Sequence, residues 1–182
     1  MDKKSQLLVG LLLAFAVNMV RADEVIMFTD QVPTPDELAG ALFPDKAEGE
    51  PVKIKTRSLQ FGRKARLSET TGVGMPIRFD LNSADIKPES KPYLDQIGMM
   101  MQMEKLANEK LLIEGHTDAL GPEQYNAVLS RKRAQAVKNY LLGKFNISPE
   151  RIIVSGKGES AALPGTKPTD PMNRRVQFYR GN

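Results

Sequence analysis

The chain contains no cysteine and no tryptophan, and its only histidine is His116. Without cysteine it can form neither a disulfide framework nor a thiolate metal site, and it lacks the residue that a bacterial lipoprotein needs at its mature N-terminus. One histidine leaves only carboxylates as further metal ligands, and none has a recognisable spacing. We therefore expect no metal, no cofactor and no lipid anchor.

The apolar run near the start of the chain is too short to span a membrane. It covers 11 residues, 7–17, whereas a transmembrane helix needs about 20. Lys3 and Lys4 precede it, and residues 20–22 form a small-x-small pattern. Residues 1–22 are therefore predicted to be a secretory signal peptide that is cleaved after Ala22. The alternative is that this segment is kept as a short membrane anchor.

Basic and acidic residues nearly balance. The chain has 26 basic and 22 acidic residues, of which three and one respectively lie in residues 1–22, so the mature protein carries a net charge of about +2. A charge so close to zero gives little reason to expect nucleic acid as a partner.

Residues 23–72 are predicted to form an extended, poorly packed leader. Residues 34–37, TPDE, have the pattern of a capping box with proline at the first helical position, which predicts one short helix ended by Pro44. Residues 52–55 alternate like a strand and begin a basic segment. That basic strand is either a solvated edge whose charges prevent aggregation or a contact for an acidic polymer or an anionic lipid surface.

Residues 73–182 are predicted to form the folded domain. Strand patterns occur at residues 75–79, 111–114, 151–155 and 175–179, and helical patterns begin at Pro88 and Pro122, the second reaching Phe145. The order is β-α-β-α-β-loop-β. It predicts an α/β fold of the α+β type, with helices packed on one mixed four-stranded sheet.

The loop after the second strand and the following helix carry the candidate binding residues, Asp118 and Arg133. A carboxylate and a guanidinium that face one cleft can bind a zwitterion, the former through its ammonium and the latter through its carboxylate. The two residues can instead neutralise each other as an internal ion pair. A hydrolase acting through His116 is a further alternative, although the chain has no Gly-x-Ser-x-Gly elbow.

The distance along the second helix bears on this pairing. If the helix runs unbroken from Pro122, Arg133 lies about 16 Å along its axis from the loop, at 1.5 Å per residue. Ser130 is a good N-cap residue. We therefore predict a break or kink near Leu129 and Ser130, which would place Arg133 in a first turn facing Asp118.

These segments together resemble a known family. The matching residues are Gly115-His116-Thr117-Asp118, Gly121, Asn126, Leu129-Ser130, Arg133-Ala134, Val137 and Asn173-Arg174-Arg175-Val176. In order and spacing they resemble the OmpA-like C-terminal domain family, the peptidoglycan-binding module of outer-membrane protein A, peptidoglycan-associated lipoproteins and flagellar stator proteins. The resemblance covers residues 73–180.

The resemblance implies a function and a site. It implies a non-catalytic module that binds the peptide stem of peptidoglycan, with Asp118 and Arg133 holding the free amino-acid end of diaminopimelate. It also implies that Asp80, Thr117 and Asn126 line the pocket, and that the run containing Arg175 supplies or braces an arginine. His116 then becomes a structural residue of the turn. The implied location is the periplasm, associated with the cell wall or outer membrane.

A second hypothesis treats the protein as a scaffold. In it, residues 23–72 recruit a protein partner from an envelope, secretion or motility complex, while the domain merely places that complex at the cell wall. The basic strand and the short helix are the features that favour this hypothesis. The identity of such a partner and the oligomeric state stay open.

Overall fold

The computed structural model describes residues 25–28, 31–46, 60–61, 71–80 and 82–182. The predicted signal peptide at residues 1–22 and the predicted basic strand at residues 52–55 lie outside the described residues. The described residues form one sheet and three α-helices. The strands are β1 (Val25–Met27), β2 (Gln60–Phe61), β3 (Gly72–Met75), β4 (Lys110–His116), β5 (Ile152–Gly158) and β6 (Val176–Gly181), and the helices are α1 (Pro35–Leu42), α2 (Lys91–Met101) and α3 (Glu123–Lys144).

The sheet is mixed, with the order β2-β1-β3-β6-β4-β5. Strand β6 pairs antiparallel with both β3 and β4, whereas β4 pairs in parallel with β5, and β1 in parallel with β3. This confirms the predicted α/β fold with helices on one mixed sheet. The predicted count of four strands is too low, because the segment before residue 72 adds β1 and β2.

The segment that contains β1 and α1 is well packed. Phe28, Leu38, Leu42 and Phe43 are buried in the same core as apolar side chains from α2, α3 and the central strands. The capping box is present as predicted: the Glu37 amide donates to Thr34 Oγ1 at 3.2 Å, and the Thr34 amide donates to Glu37 Oε2 at 2.8 Å. The expectation of a poorly packed leader is therefore wrong for residues 25–28 and 35–43.

Strand β3 ends at Met75, the residue at which the first predicted strand, 75–79, begins. It covers Gly72–Met75, and Pro76, which has no N–H to donate to a ladder, follows it directly. Its two glycines leave room for neighbouring side chains, since a Cβ at Gly72 would overlap the Tyr179 ring and one at Gly74 would overlap the Met27 side chain. Glycine has a low strand preference, which explains the misplaced prediction.

Helix α3 is continuous from Glu123 to Lys144, so the predicted break near Ser130 is wrong. The Ser130 hydroxyl fastens the helix to the sheet instead: it donates to the Ala127 carbonyl and accepts from the Gly158 amide, both at 2.9 Å. A Cβ at Gly115 would overlap the Ser130 carbonyl oxygen. The absence of a side chain at Gly115 therefore lets α3 lie close against β4.

Candidate functional site

One edge of the sheet collects the predicted site residues. Because β3, β4 and β5 run in one direction and β6 runs in the other, the loops that follow β3, β4 and β5 meet the segment that enters β6. The loop after β4 carries Asp118, and the segment before β6 carries Arg174 and Arg175. Ends of neighbouring strands commonly present polar groups to a ligand in this way.

Asp118 is only 5% exposed. Its Oδ2 accepts a hydrogen bond from Arg174 Nη1 at 2.6 Å, and its Oδ1 accepts one from the Leu120 amide at 3.3 Å. Arg174 is half exposed, with 48% of its side-chain surface accessible. Asp118 is thus a buried carboxylate whose one ionic partner in the described chain reaches it from the solvent side.

Arg133 is 8% exposed and lies on the face of α3 that is turned toward this edge. Its Nε donates to the Ser83 carbonyl at 3.1 Å, and its guanidinium carbon lies 5.0 Å from the centre of the Phe79 ring. Burial lowers the pKa of Arg133, and the nearby Asp118 carboxylate partly opposes that effect. Among the described residues, no carboxylate oxygen lies within 4.0 Å of its guanidinium.

Asp118 and Arg133 therefore lie near each other without forming an ion pair, which contradicts the alternative that they simply neutralise each other. The helix needs no break to bring Arg133 within range. Side chains of an α-helix tilt toward its N-terminus, and the N-terminus of α3 is the end beside the Asp118 loop. The long Arg133 side chain therefore extends back toward the Asp118 loop. The distance estimated along the helix axis did not include this reach of the side chain.

Asn126 braces the loop around Asp118. Its Nδ2 lies 3.2 Å from the carbonyl oxygens of both Asp118 and Leu120, and 2.6 Å from Glu159 Oε2. These contacts occupy its donors. Asn126 is also buried, so the structure places it behind the loop as a support for Asp118.

Asp80 and Thr117 occupy different environments. The Asp80 side chain is 61% exposed and lies 3.3 Å from Lys87 Nζ, in the turn that also contains Ser83. Thr117 is buried, and its amide donates to the Gly158 carbonyl at 2.8 Å. Its hydroxyl has no hydrogen-bond partner within the described part of the chain.

Arg175 is 5% exposed and contacts neutral acceptors. Its Nη1 lies 3.3 Å from the Asn173 carbonyl, and its Nη2 donates to the Ala161 carbonyl at 3.0 Å and to Gln177 Oε1 at 3.2 Å. Burial lowers the pKa of Arg175 to about 10. It remains charged at neutral pH.

His116 is 2% exposed and uncharged at neutral pH. Burial, followed by the charges of Arg175 and Lys157, lowers the pKa of His116 to about 3, although contacts with Gln177 and the Ala161 carbonyl oppose the shift. Its Nε2 is 3.9 Å from Glu114 Oε2, too far for a hydrogen bond. A neutral, buried imidazole is consistent with a structural residue of the turn.

A cavity of about 560 Å³ opens at this edge beside Arg133 and Arg174, the partner of Asp118. We call it the basic cleft. Its charged lining residues in the described chain are Arg78, Lys87, Glu89, Arg133, Arg174 and Arg175. His116, at the end of β4, and Phe79, in the segment after β3, also line it. The cleft therefore extends from these strand ends to helix α3, which carries Arg133.

Three contacts around the site were not predicted: the Arg174 partner of Asp118, the Ser83 carbonyl and the Phe79 ring. The Asn173-Arg174-Arg175 run pointed to an arginine here. Because neighbouring residues of an extended chain point in opposite directions, the run could not indicate which arginine would contact Asp118.

Comparison with known proteins shows the family. The model of the OmpA family matches residues 78–176, more than half of the chain. The protein belongs to the OmpA family. The resemblance inferred from the sequence is thus confirmed. OmpA-like domains are structural peptidoglycan-binding modules and not enzymes, which confirms the expected absence of catalysis and sets aside a hydrolase acting through His116.

Curated relatives are outer-membrane proteins by name. Outer membrane protein A of Bordetella avium is 38% identical over 102 residues, which cover 55% of this chain and 51% of the relative. Outer membrane porin F of Pseudomonas fluorescens is 32% identical over 115 residues, which cover 62% of this chain and 34% of the relative. The chain therefore spans about half the length of the first relative and a third of the second.

Solved structures share the fold. An outer membrane protein from Borrelia burgdorferi B31 matches with a TM-score of 0.50 and 32% identity, over 61% of this chain and 88% of that one. The OmpA-like domain of FopA1 from Francisella tularensis subsp. tularensis SCHU S4 matches with a TM-score of 0.50 and 24% identity, over 58% and 73%. No helix in the described ranges combines the length and apolar character needed to cross a bilayer.

Proposed function

We propose that the protein binds peptidoglycan through the free amino-acid end of diaminopimelate in the peptide stem, and thereby tethers itself or a complex to the cell wall. Asp118 receives the ammonium group of that end and Arg133 its carboxylate, in a bidentate pair. Export by the signal peptide at residues 1–22 delivers the protein to the periplasm, where this wall polymer is found.

The relation between Asp118 and Arg133 is the observation that carries this proposal. Both are at least nine-tenths buried, both face the same sheet edge, and they are not paired with each other. Among the described residues, Arg133 has no carboxylate oxygen within 4.0 Å and the one ionic partner of Asp118 is the half-exposed Arg174, so neither buried charge has a buried ionic partner, which is unfavourable unless another group completes the arrangement. A zwitterion completes it, because one ligand supplies a cation for Asp118 and an anion for Arg133.

Arg174 takes part in this proposal as the group that Asp118 contacts before a ligand arrives. Its side chain is half exposed, so it can leave Asp118 at little cost in buried surface. The arriving ammonium then replaces the guanidinium on the Asp118 carboxylate. The freed Arg174 stays at the edge of the basic cleft, close to the ligand carboxylate.

The other predicted ligand residues have supporting roles in the proposal. Asp80 lies at the exposed rim, and the Thr117 hydroxyl, next to Asp118 in the chain, has no hydrogen-bond partner among the described residues. Asn126 and Arg175 hold the loop after β4 and the loop before β6 in place through backbone carbonyls.

Co-sedimentation with purified peptidoglycan tests the proposal. Asp118→Asn and Arg133→Gln should each weaken binding at least about tenfold, because hydrogen bonds to charged groups contribute roughly 1.5–3 kcal/mol. Glu150→Gln and Arg131→Gln are matched controls: both residues are exposed, and neither lines the basic cleft. Wild-type binding by both folded site variants would rule out these residues as the clamp.

Recruitment of an envelope protein through residues 23–72 stays a prediction, and the structure changes how it must be tested. Deleting the whole segment would remove β1 and α1 from the core. Replacing the basic residues with glutamine is a cleaner test; these are Lys53, Lys55, Arg57, Arg63, Lys64 and Arg66. Loss of partner capture with intact wall binding would support the scaffold hypothesis, and unchanged capture would contradict a role for the basic segment.

A further inference from the structure

The basic cleft has an excess of positive charge. Among the described residues that line it, Arg78, Lys87, Arg133, Arg174 and Arg175 are basic and only Glu89 is acidic. Two of these cations have a carboxylate partner outside the lining, since Lys87 pairs with Asp80 at 3.3 Å and Arg174 with Asp118 at 2.6 Å. The remaining cations outnumber Glu89.

Arg133 and Arg175 are the two buried members of this excess. In the described chain neither has a carboxylate oxygen within 4.0 Å, and both donate to backbone carbonyls or a side-chain amide. The Nε of Arg175 is buried and has no acceptor within the described residues. A buried guanidinium that contacts no carboxylate is costly, and a bound anion would offset that cost.

Arg133 accounts for one anion, the carboxylate of the amino-acid end in the proposed function. Arg175 and Arg78 are left over. Arg175 lies in the interior of the cleft, with burial lowering its pKa, and Arg78 is exposed at its mouth. Together they offer a second set of donors for an anion, separate from Asp118 but in a cavity that continues to Arg133.

We propose that the basic cleft binds a second carboxylate of the same ligand, through Arg78 and Arg175. The protein then recognises a peptide stem that carries both a free amino-acid end and another free carboxylate nearby. Amidation of that second carboxylate weakens binding, because an amide cannot neutralise the arginines. This inference rests on the proposed function and names the chemical form of peptidoglycan that the site prefers.

Two small probes separate the second carboxylate from the amino-acid end. D-2-Aminopimelate has one amino-acid end and a distal carboxylate, and its distal monoamide differs only in that group. Isothermal titration of the full protein should give about tenfold tighter binding of the diacid, the effect expected for a charge-assisted hydrogen bond.

Substitution of Arg78, at the mouth of the cleft, tests whether this residue causes the preference for the diacid. Arg78→Gln should reduce the preference for the diacid about threefold, the size typical of a half-solvated charge pair, and leave binding of the monoamide unchanged. Only the backbone of Arg78 takes part in the hydrogen bonds found among the described residues, and its side chain is exposed, so the variant should fold. Arg131→Gln removes the same charge from the exposed surface of α3 and should leave the preference unchanged.

The outcomes distinguish this inference from the proposed function. Equal binding of the two probes, or a preference that Arg78→Gln does not change, would overturn the second subsite while leaving the clamp intact. Failure of Asp118→Asn to weaken either probe would instead overturn the clamp and, with it, the inference that depends on it.

Discussion

Arginines at the two ends of the sheet differ in whether they contact carboxylates. At the basic cleft, Arg133 and Arg175 are buried against carbonyl groups. At the other end of β6, Arg180 lies 2.7 Å from Asp45 Oδ1 and 2.9 Å from Glu109 Oε2, with its guanidinium carbon 5.6 Å from the centre of the Phe43 ring.

This difference distinguishes an arginine that stabilises the fold from arginines that we propose to bind a ligand. Arg180 is neutralised by two carboxylates, one of which, Asp45, belongs to the segment that follows α1. Its contacts therefore hold that segment against the sheet. Among the described residues, Arg133 and Arg175 have no carboxylate oxygen within 4.0 Å, so we infer that their charge is available to a ligand. Three predictions test this contrast, from the largest expected effect to the smallest.

Phe43→Ala should reduce the free energy of unfolding by about 3–5 kcal/mol, the usual cost of removing a fully buried phenylalanine side chain. The side chain is 0% exposed, and its ring supports Arg180. Urea denaturation measures the loss. Met99→Ala is the control, because Met99 is 41% exposed and should cost less than about 1 kcal/mol. A cost for Phe43→Ala no larger than the control would mean that the segment after α1 is not part of the core.

Lowering the pH should reduce the free energy of unfolding, because His116 is buried in its neutral form at the cleft end of the sheet. The unfolded chain takes up a proton near pH 6.5, but the folded protein does so only near pH 3, because the pKa of buried His116 is lowered to about 3. Stability is therefore lost as the pH falls below 6.5, by roughly 3 kcal/mol at pH 4 from this residue alone.

The measurement for this second prediction is the free energy of unfolding of the wild type and of His116→Gln between pH 7 and pH 4. Glutamine stays neutral throughout, so the variant should lose less stability over this range than the wild type. The difference between the two proteins isolates the contribution of the imidazole, because every other ionisable side chain is present in both. Parallel pH profiles would show that His116 takes up its proton normally in the folded protein.

Arg180→Gln should cost about 1 kcal/mol of unfolding free energy, the upper range for ion pairs that remain partly accessible to water. It should leave peptidoglycan binding unchanged, since Arg180 lies at the opposite end of β6 from the cleft. Thermal unfolding and co-sedimentation on the same samples check both parts. Weakened wall binding in a folded Arg180→Gln protein would break the proposed division between the two ends.

Much of the fold could be predicted because its signals are local. The capping box at Thr34 and the apolar spacing within α2 and α3 depend only on neighbours in sequence. The packing of residues 25–28 could not be predicted in this way. Strand β1 has three residues, and its partner β3 contains two glycines, so neither shows a strand pattern until the two are paired.

The site was predicted in part. The residue types of Asp118 and Arg133 left a clamp and an internal ion pair open, and the family resemblance favoured the clamp; the structure brings both residues to one edge without pairing them. The helix break was wrong because it rested on distance along the axis and ignored the direction of the Arg133 side chain. Arg174 as the partner of Asp118 depends on the fold of the loop before β6, for which the sequence offers no periodic signal.

The central position of β6 has a consequence for when the chain can fold. Residues 176–181 separate β3 from β4, so without them the sheet is two unconnected pieces, β2-β1-β3 and β4-β5. Neither piece can close the core before residues 176–181 have been synthesised, and contacts so distant in sequence form slowly. The sheet therefore becomes continuous only when this late strand is added between β3 and β4.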